Sequence, residues 1–284
     1  MEIRDTARAA DGHPLAVTRF PAEGARWGTL LVAPAMGVPQ SFYEPMARRF
    51  ATRGLAVLTF DWRGTGASAT GPMADCKADL MDWARLDLEA MLAESRAAAP
   101  DKPAFALGHS LGGQLLGATR GASDLRAAVT VTAGTGWYRH NDRMPWRVRF
   151  FWFVAIPVLT PLAGFFPGRR FGLVGDLPAG VAWQWRRWST HPDYLLSEGE
   201  SVRERFDAVR GAILGYSFTD DDIITRPAVD QLHGFYRHAA VERRHVAPAA
   251  AGRARIGHFG FFRPESADGL WEDTLAWLRA KASA

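Results

Sequence analysis

The chain of 284 residues has a single cysteine, Cys76, and only three lysines beside 31 arginines. One cysteine excludes an internal disulfide and any cysteine-based metal site, and nothing around Cys76 marks an activated thiol. Scarce lysine does not mean scarce positive charge, because the formal net charge is +4. That charge comes without zinc-finger spacing, an RNA-binding signature or a basic recognition helix, so no nucleic-acid partner is expected. The opening Met-Glu-Ile-Arg-Asp lacks the basic start, apolar stretch and small-residue cleavage site of a secretory signal. A cytoplasmic location is the expectation that follows. Internal repeats and low-complexity linkers are absent too. With 48% hydrophobic and 23% charged residues, the composition is that of a globular chain with ample core material.

What is present is an alternation of short apolar runs and longer helical patterns, the signature of β-α units building a mostly parallel sheet. The runs 28–34 (GTLLVAP), 55–60 (LAVLTF) and 103–107 (PAFAL) are bounded by Gly, Pro or Asp. Unbroken apolar character of that kind predicts strands buried on both faces. Residues 41–53, 75–98 and 111–121 read as the intervening helices. Further strands are expected at 127–133 and 212–218, helices at 227–238 and 264–282, and an antiparallel pair within the first twenty residues.

Between the strands at 127–133 and 212–218 the composition shifts to Trp, Phe, Pro and Arg, which predicts an insertion rather than another β-α repeat. Within it, residues 150–166 (FFWFVAIPVLTPLAGFF) contain no charge and approach the length of a membrane span. Pro157 and Pro161 sit in the middle of this stretch, which is at the short limit for crossing the ~30 Å hydrocarbon core. Buried or pocket-lining helices are expected there.

Gly108-His109-Ser110-Leu111-Gly112 matches Gly-x-Ser-x-Gly, the pattern of a serine held on a sharp strand-to-helix turn. Composition alone would produce about 0.1 such matches in a chain like this. Here the motif follows a buried strand and opens a Gly- and Leu-rich helix, the context it requires. A serine hydroxyl is a poor nucleophile until a base removes its proton, so a histidine must come from elsewhere in the fold. His258 lies in Ile256-Gly257-His258-Phe259-Gly260, a loop-like segment before the last helix. The other seven fit less well: His109 adjoins the serine and should point to the opposite side of the turn, and His233 and His238 fall in a surface helix. His13, His140, His191 and His245 lie outside any late loop. A carboxylate to orient the base is expected between the insertion and His258, where Asp220, Asp221 and Asp222 stand together.

In these features the sequence resembles the α/β-hydrolase superfamily, in the branch of serine hydrolases and serine aminopeptidase-like proteins with a cap after strand six. The order serine, acid, histidine agrees. Residues 34–37 (PAMG) take the place of the His-Gly-x-Gly loop, without its His and one Gly, and 60–68 (FDWRGTGAS) resemble the Asp-x-Arg-Gly-x-Gly-x-Ser loop. The resemblance implies a mostly parallel eight-stranded sheet flanked by helices, with a core domain of 1–136 and 211–284 and a cap at 137–210. It selects Asp221, two residues before the apolar pair Ile223-Ile224, as the triad acid, with Asp222 as second choice. It also assigns the oxyanion-binding amides to Met36 and Leu111. The activity implied is cleavage of an ester or thioester of a small acyl substrate without a cofactor. Acyl transfer, peptide cleavage and ligand binding with little turnover are the alternatives.

The insertion suggests where the substrate would lie. Residues 137–190 hold six of the 11 Trp and eight Arg, no Lys and only two acids, Asp142 and Asp176. A hydrophobic acyl site with a basic rim, suited to an anionic head or leaving group, is expected. Two other readings compete: the tryptophans pack the cap and the arginines are solvated, or the same surface rests on anionic lipid.

Overall fold

The computed structural model describes residues 2–172 and 174–283. The chain opens with the expected antiparallel pair, β1 (Ile3–Arg8) and β2 (Pro14–Phe20). The apolar runs then form β3 (Gly28–Ala33), β4 (Leu55–Phe60), β5 (Ala104–His109) and β6 (Ala127–Val131), in which every residue is buried. Within the insertion a short antiparallel ribbon pairs β7 (Phe165–Phe166) with β8 (Leu177–Pro178). β9 (Ala212–Phe218) and β10 (Val241–Val246) complete the main sheet. Its order is β1-β2-β4-β3-β5-β6-β9-β10. Contacts from β4 to β10 are all parallel, and β2 runs antiparallel to both its neighbours.

β10 was not foreseen. Its sequence, VERRHV, carries four polar residues and lies at the sheet edge, where charged side chains are favoured over apolar runs. The helix expected at 111–121 stops at Leu116. Beyond it the backbone tightens into i→i−3 turns, with the Ala118 amide on Leu115 O at 2.9 Å and the Thr119 amide on Leu116 O at 3.1 Å, and Arg205 of the insertion donates to the Ala118 carbonyl at 2.8 Å. His233, expected on a surface helix, is buried and bonds through Nε2 to Thr130 Oγ1 at 2.8 Å. Its helix, Arg226–Gly234, lies against β9, where Gly215 makes room for the imidazole. Burial holds this ring down to about 4, so it stays neutral.

A second correction concerns residues 150–166. The helix there runs without interruption from Pro145 to Ala163, through Pro157 and Pro161, and only 22% of its most apolar window is buried. Trp152, Ala155, Ile156 and Thr160 face the protein, while Trp146, Phe150, Val158 and Leu162 are exposed. It covers the domain with one stripe only and lines no interior on the others.

The loop 60–68 is held by a buried charge cluster. Arg63 reaches Asp87 with Nε at 2.6 Å and its own amide at 2.9 Å, and Asp11 with Nη1 at 2.6 Å. Burial pushes the Asp87 carboxyl up to about 6 against the pull of the Arg63 guanidinium. Arg63→Ala would strand that carboxylate, and a cost of about 3–5 kcal/mol is expected at neutral pH. Below pH 6 the native Asp87 also becomes protonated, so the deficit should shrink in acid. Urea unfolding of both proteins at neutral and acidic pH measures it; a deficit that grows in acid would contradict this account.

Candidate active site

The central strand β5 ends at His109, and the next residue, Ser110, adopts φ 49° and ψ −114°, a conformation that non-glycine residues rarely take. It is held there by its amide, which donates to Val131 O on the neighbouring strand at 2.9 Å. The flanking glycines follow from crowding. A Cβ at Gly112 would lie 2.1 Å from Ala33 O, and one at Gly108 would lie 2.4 Å from Gly113. The turn therefore lifts a half-buried serine above the sheet at the carboxyl ends of β3 and β5, which are paired neighbours.

Three carboxylates follow β9, and their surroundings differ. Asp221 is 1% exposed; its Oδ1 accepts from the amides of Ile223 (2.8 Å) and Ile224 (3.1 Å), and its Oδ2 lies 2.9 Å from His258 Nδ1. Asp220 instead accepts from the Ile256 amide at 2.9 Å, which ties the acid turn to the loop carrying the histidine. Asp222 is half exposed and pairs with Arg143 at 3.5 Å. Of the three, Asp221 is the one that meets His258. Since the carboxylate can only accept, Nδ1 carries the proton and Nε2 is left as the basic nitrogen. Gly257, at φ 57°, makes the turn that sets the ring.

A buried chain of hydrogen bonds connects the loops. The Ala35 amide donates to Tyr43 Oη at 2.8 Å, Tyr43 Oη lies 2.8 Å from His109 Nδ1, and His109 Nε2 lies 3.0 Å from the His258 carbonyl. Because a carbonyl only accepts, His109 donates through Nε2 and accepts the Tyr43 hydroxyl proton at Nδ1. Burial, reinforced by the neighbouring His258 ring, holds the His109 pKa well below its usual range, so it stays neutral. Thr132 Oγ1 lies 3.3 Å from the same His258 carbonyl and 2.8 Å from the Val131 carbonyl, the two acceptors open to its one proton. The loop of Met36, the Ser110 turn and the His258 loop are thus wired together. Sequence reasoning set His109 aside as pointing away from the site and passed over Tyr43. The adjacency of His109 to Ser110 was the one signal available, and nothing in the sequence marked Tyr43.

The site is not fully drawn together. Ser110 Oγ forms no hydrogen bond with a described residue, so the serine and His258 are neighbours through His109, with ring centroids of the two histidines 5.3 Å apart, without a direct bond. The Met36 and Leu111 amides, at the ends of paired strands, donate to no described protein acceptor.

The segment 137–210 packs against these loops on two sides. Asn141 Nδ2 donates to the carbonyls of Asp222 (2.9 Å) and Ile223 (3.2 Å). At the other side, Gly175 abuts Gly37, where a Cβ would fall 2.6 Å from the Gly175 amide. Four of the six tryptophans are accounted for by packing: Trp152 and Trp188 are buried, and Trp137 and Trp185 partly so. Trp146 and Trp183 are exposed.

The comparisons with known proteins bear on the family and the fold. No curated protein matches the sequence significantly. A soluble variant of monoglyceride lipase from Saccharomyces cerevisiae superposes with a TM-score of 0.68 at 16% identity, over 100% of this chain and 96% of that one. A carboxyl esterase from Bacillus coagulans gives 0.63 at 14%, over 99% of each chain. The esterase domain of a Rhodothermus marinus protein gives 0.60 at 18%, over 99% and 98%. Identities this low establish the shared α/β-hydrolase fold. The family model described as "Serine aminopeptidase, S33" matches residues 25–168, a stretch that contains Ser110 and ends before Asp221 and His258. With half of the chain matched by that model and the whole chain folded like esterases and lipases, the protein belongs to the serine aminopeptidase S33 family of α/β-hydrolases.

Proposed function

We propose that the protein is a serine hydrolase that cleaves a carboxylic ester or thioester, with Ser110 as nucleophile, His258 as base and Asp221 as the acid that orients it. The observation that carries this reading is the buried His258–Asp221 bond of 2.9 Å beside a serine in a strained turn. In the reaction His258 Nε2 takes the Ser110 proton as Oγ bonds to the acyl carbon. The resulting oxyanion is held by the Met36 and Leu111 amides, each worth about 2.7–4 kcal/mol of transition-state stabilisation. His258 then protonates the departing alkoxide or thiolate, leaving an acyl-serine. Water attacks that ester after giving a proton to His258; the acid leaves and Ser110 is reprotonated. No step requires a cofactor.

The insertion 137–210 is the lid of this site in our reading, and its Phe166 and Leu177 belong to the same buried apolar cluster as Met36. An apolar acyl site gains up to about 0.8 kcal/mol, roughly fourfold, per methylene buried. kcat/KM for esters and coenzyme A thioesters should therefore rise with acyl length, and better thioester turnover would support a basic rim. An acetyl ester as good as an octanoyl ester would remove the acyl site. A second reading, peptide cleavage, rests on the description of the matched family. Aminoacyl anilides included in the same screen decide between the two.

A further inference from the structure

The face of the helix at 145–163 has no partner within the chain. Trp146, Phe150, Val154, Val158 and Leu162, four residues apart, form an exposed apolar stripe, with Trp146 78%, Phe150 60% and Leu162 80% accessible. Phe153 widens it, and Phe171, beyond the C-terminal end, extends it. This is the one helix among the described residues long and apolar enough to cross a membrane. Exposed apolar surface of this extent marks an interaction site.

Positive charge dominates around the stripe, with the acids Asp142 before it and Asp176 beside Arg169 as the exceptions. From residue 143 to 171 there are five Arg and neither Asp nor Glu. Arg143 is paired with Asp222, but Arg147, Arg149, Arg169 and Arg170 form no ion pair with a described residue. Arg149 lies over the rings of Trp146 (5.6 Å) and Tyr138 (5.9 Å), an arrangement that keeps a cation beside an apolar anchor. The cations thus flank an apolar middle at both ends.

We propose that this helix docks on an anionic phospholipid bilayer, lying along the interface with its apolar stripe among the acyl chains and its flanking arginines on the headgroups. An apolar face with a basic border is the pattern of interfacial helices. A second copy of the chain fits less well, because a two-fold contact would bring two such arginine-rich sets together with only Asp142 and Asp176 of each copy to offset them. Spanning fits less well too, since it would place Arg147 and Arg149 in hydrocarbon and strip Trp152 and Ile156 from their packing. The flanks of the helix touch the acid turn through Asn141 and the Met36 loop through Gly175. Docking would therefore set the mouth of the site at the membrane, a consequence that rests on the hydrolase reading, with acyl esters dissolved in the bilayer as the substrate class.

The test is co-sedimentation of the full chain with vesicles of phosphatidylcholine alone and mixed with phosphatidylglycerol. Binding to the mixture should be about tenfold stronger and weaken with added salt. Phe150→Glu/Leu162→Glu should lose the binding while keeping the circular dichroism spectrum and turnover of a short water-soluble ester. Because all four sites are exposed, Arg147→Gln/Arg149→Gln/Arg169→Gln/Arg170→Gln should stay folded and lose the preference for the anionic mixture. Equal binding to both vesicles, binding to neither, or full binding by the Glu variant overturns the proposal. So does a dimer in sedimentation equilibrium that the Glu variant dissociates. Vesicle binding is read from protein in the pellet, so a chain that binds but cleaves no ester would overturn the hydrolase reading and leave this one standing.

Discussion

Ser110→Ala is expected to lower ester turnover by roughly a millionfold and to abolish labelling by a fluorophosphonate probe. The size follows from the way triad members act together, so that loss of the nucleophile leaves only binding and oxyanion contacts to accelerate the reaction. Stability should hardly change. Alanine keeps the Cβ, the Val131 carbonyl still receives the amide at residue 110, and the hydroxyl it removes makes no hydrogen bond with a described residue. Ser110→Gly separates strain from chemistry: it should be equally inactive yet more stable by roughly 1 kcal/mol, because glycine tolerates φ 49° without a Cβ penalty. Probe labelling, steady-state kinetics and urea unfolding of the two variants measure both halves. Labelling that survives in Ser110→Ala would refute the nucleophile.

The second large effect concerns the acid and the base. His258→Ala should be about as damaging as loss of the serine. Asp221→Asn should cost about ten-thousandfold in kcat, for a reason that the hydrogen bonds define. The amides of Ile223 and Ile224 hold Oδ1, so the asparagine oxygen takes that place and its NH2 faces His258 Nδ1. Nδ1 must then accept, the proton moves to Nε2, and the ring can no longer take the serine proton. Asp222→Asn loses only a half-exposed pair with Arg143, and a change within about twofold is expected. An inactive Asp222→Asn beside an active Asp221→Asn would shift the assignment by one residue.

Local sequence carried much of this. β3 to β6 and β9 are legible because strands buried on both faces are mainly apolar, interrupted only by single residues such as Thr59, Thr130 and Ser217. The Ser110 turn is legible because only glycine fits where Gly112 presses on Ala33. β10 was illegible for the converse reason, since an edge strand has no apolar face to declare it. His233 was misplaced because an imidazole in a helix has no sequence mark that tells a solvated ring from one bonded to Thr130 across 103 positions.

Choosing among adjacent, chemically identical residues needed the fold. Asp220, Asp221 and Asp222 carry the same carboxylate on the same short side chain, and the resemblance to a family, not their chemistry, selected Asp221. In the folded chain the turn after β9 sends one to the Ile256 amide, one to His258 and one to Arg143. The chain from Tyr43 through His109 to the His258 carbonyl spans residues 35 to 258 and exists only once the strands are in register. The apolar run at 150–166 shows the same division most clearly. Composition determined that it would be a hydrophobic helix, but which stripe is buried depends on the surface it is laid against, and tertiary packing covered Trp152 and Ile156 while leaving Phe150 and Leu162 outside.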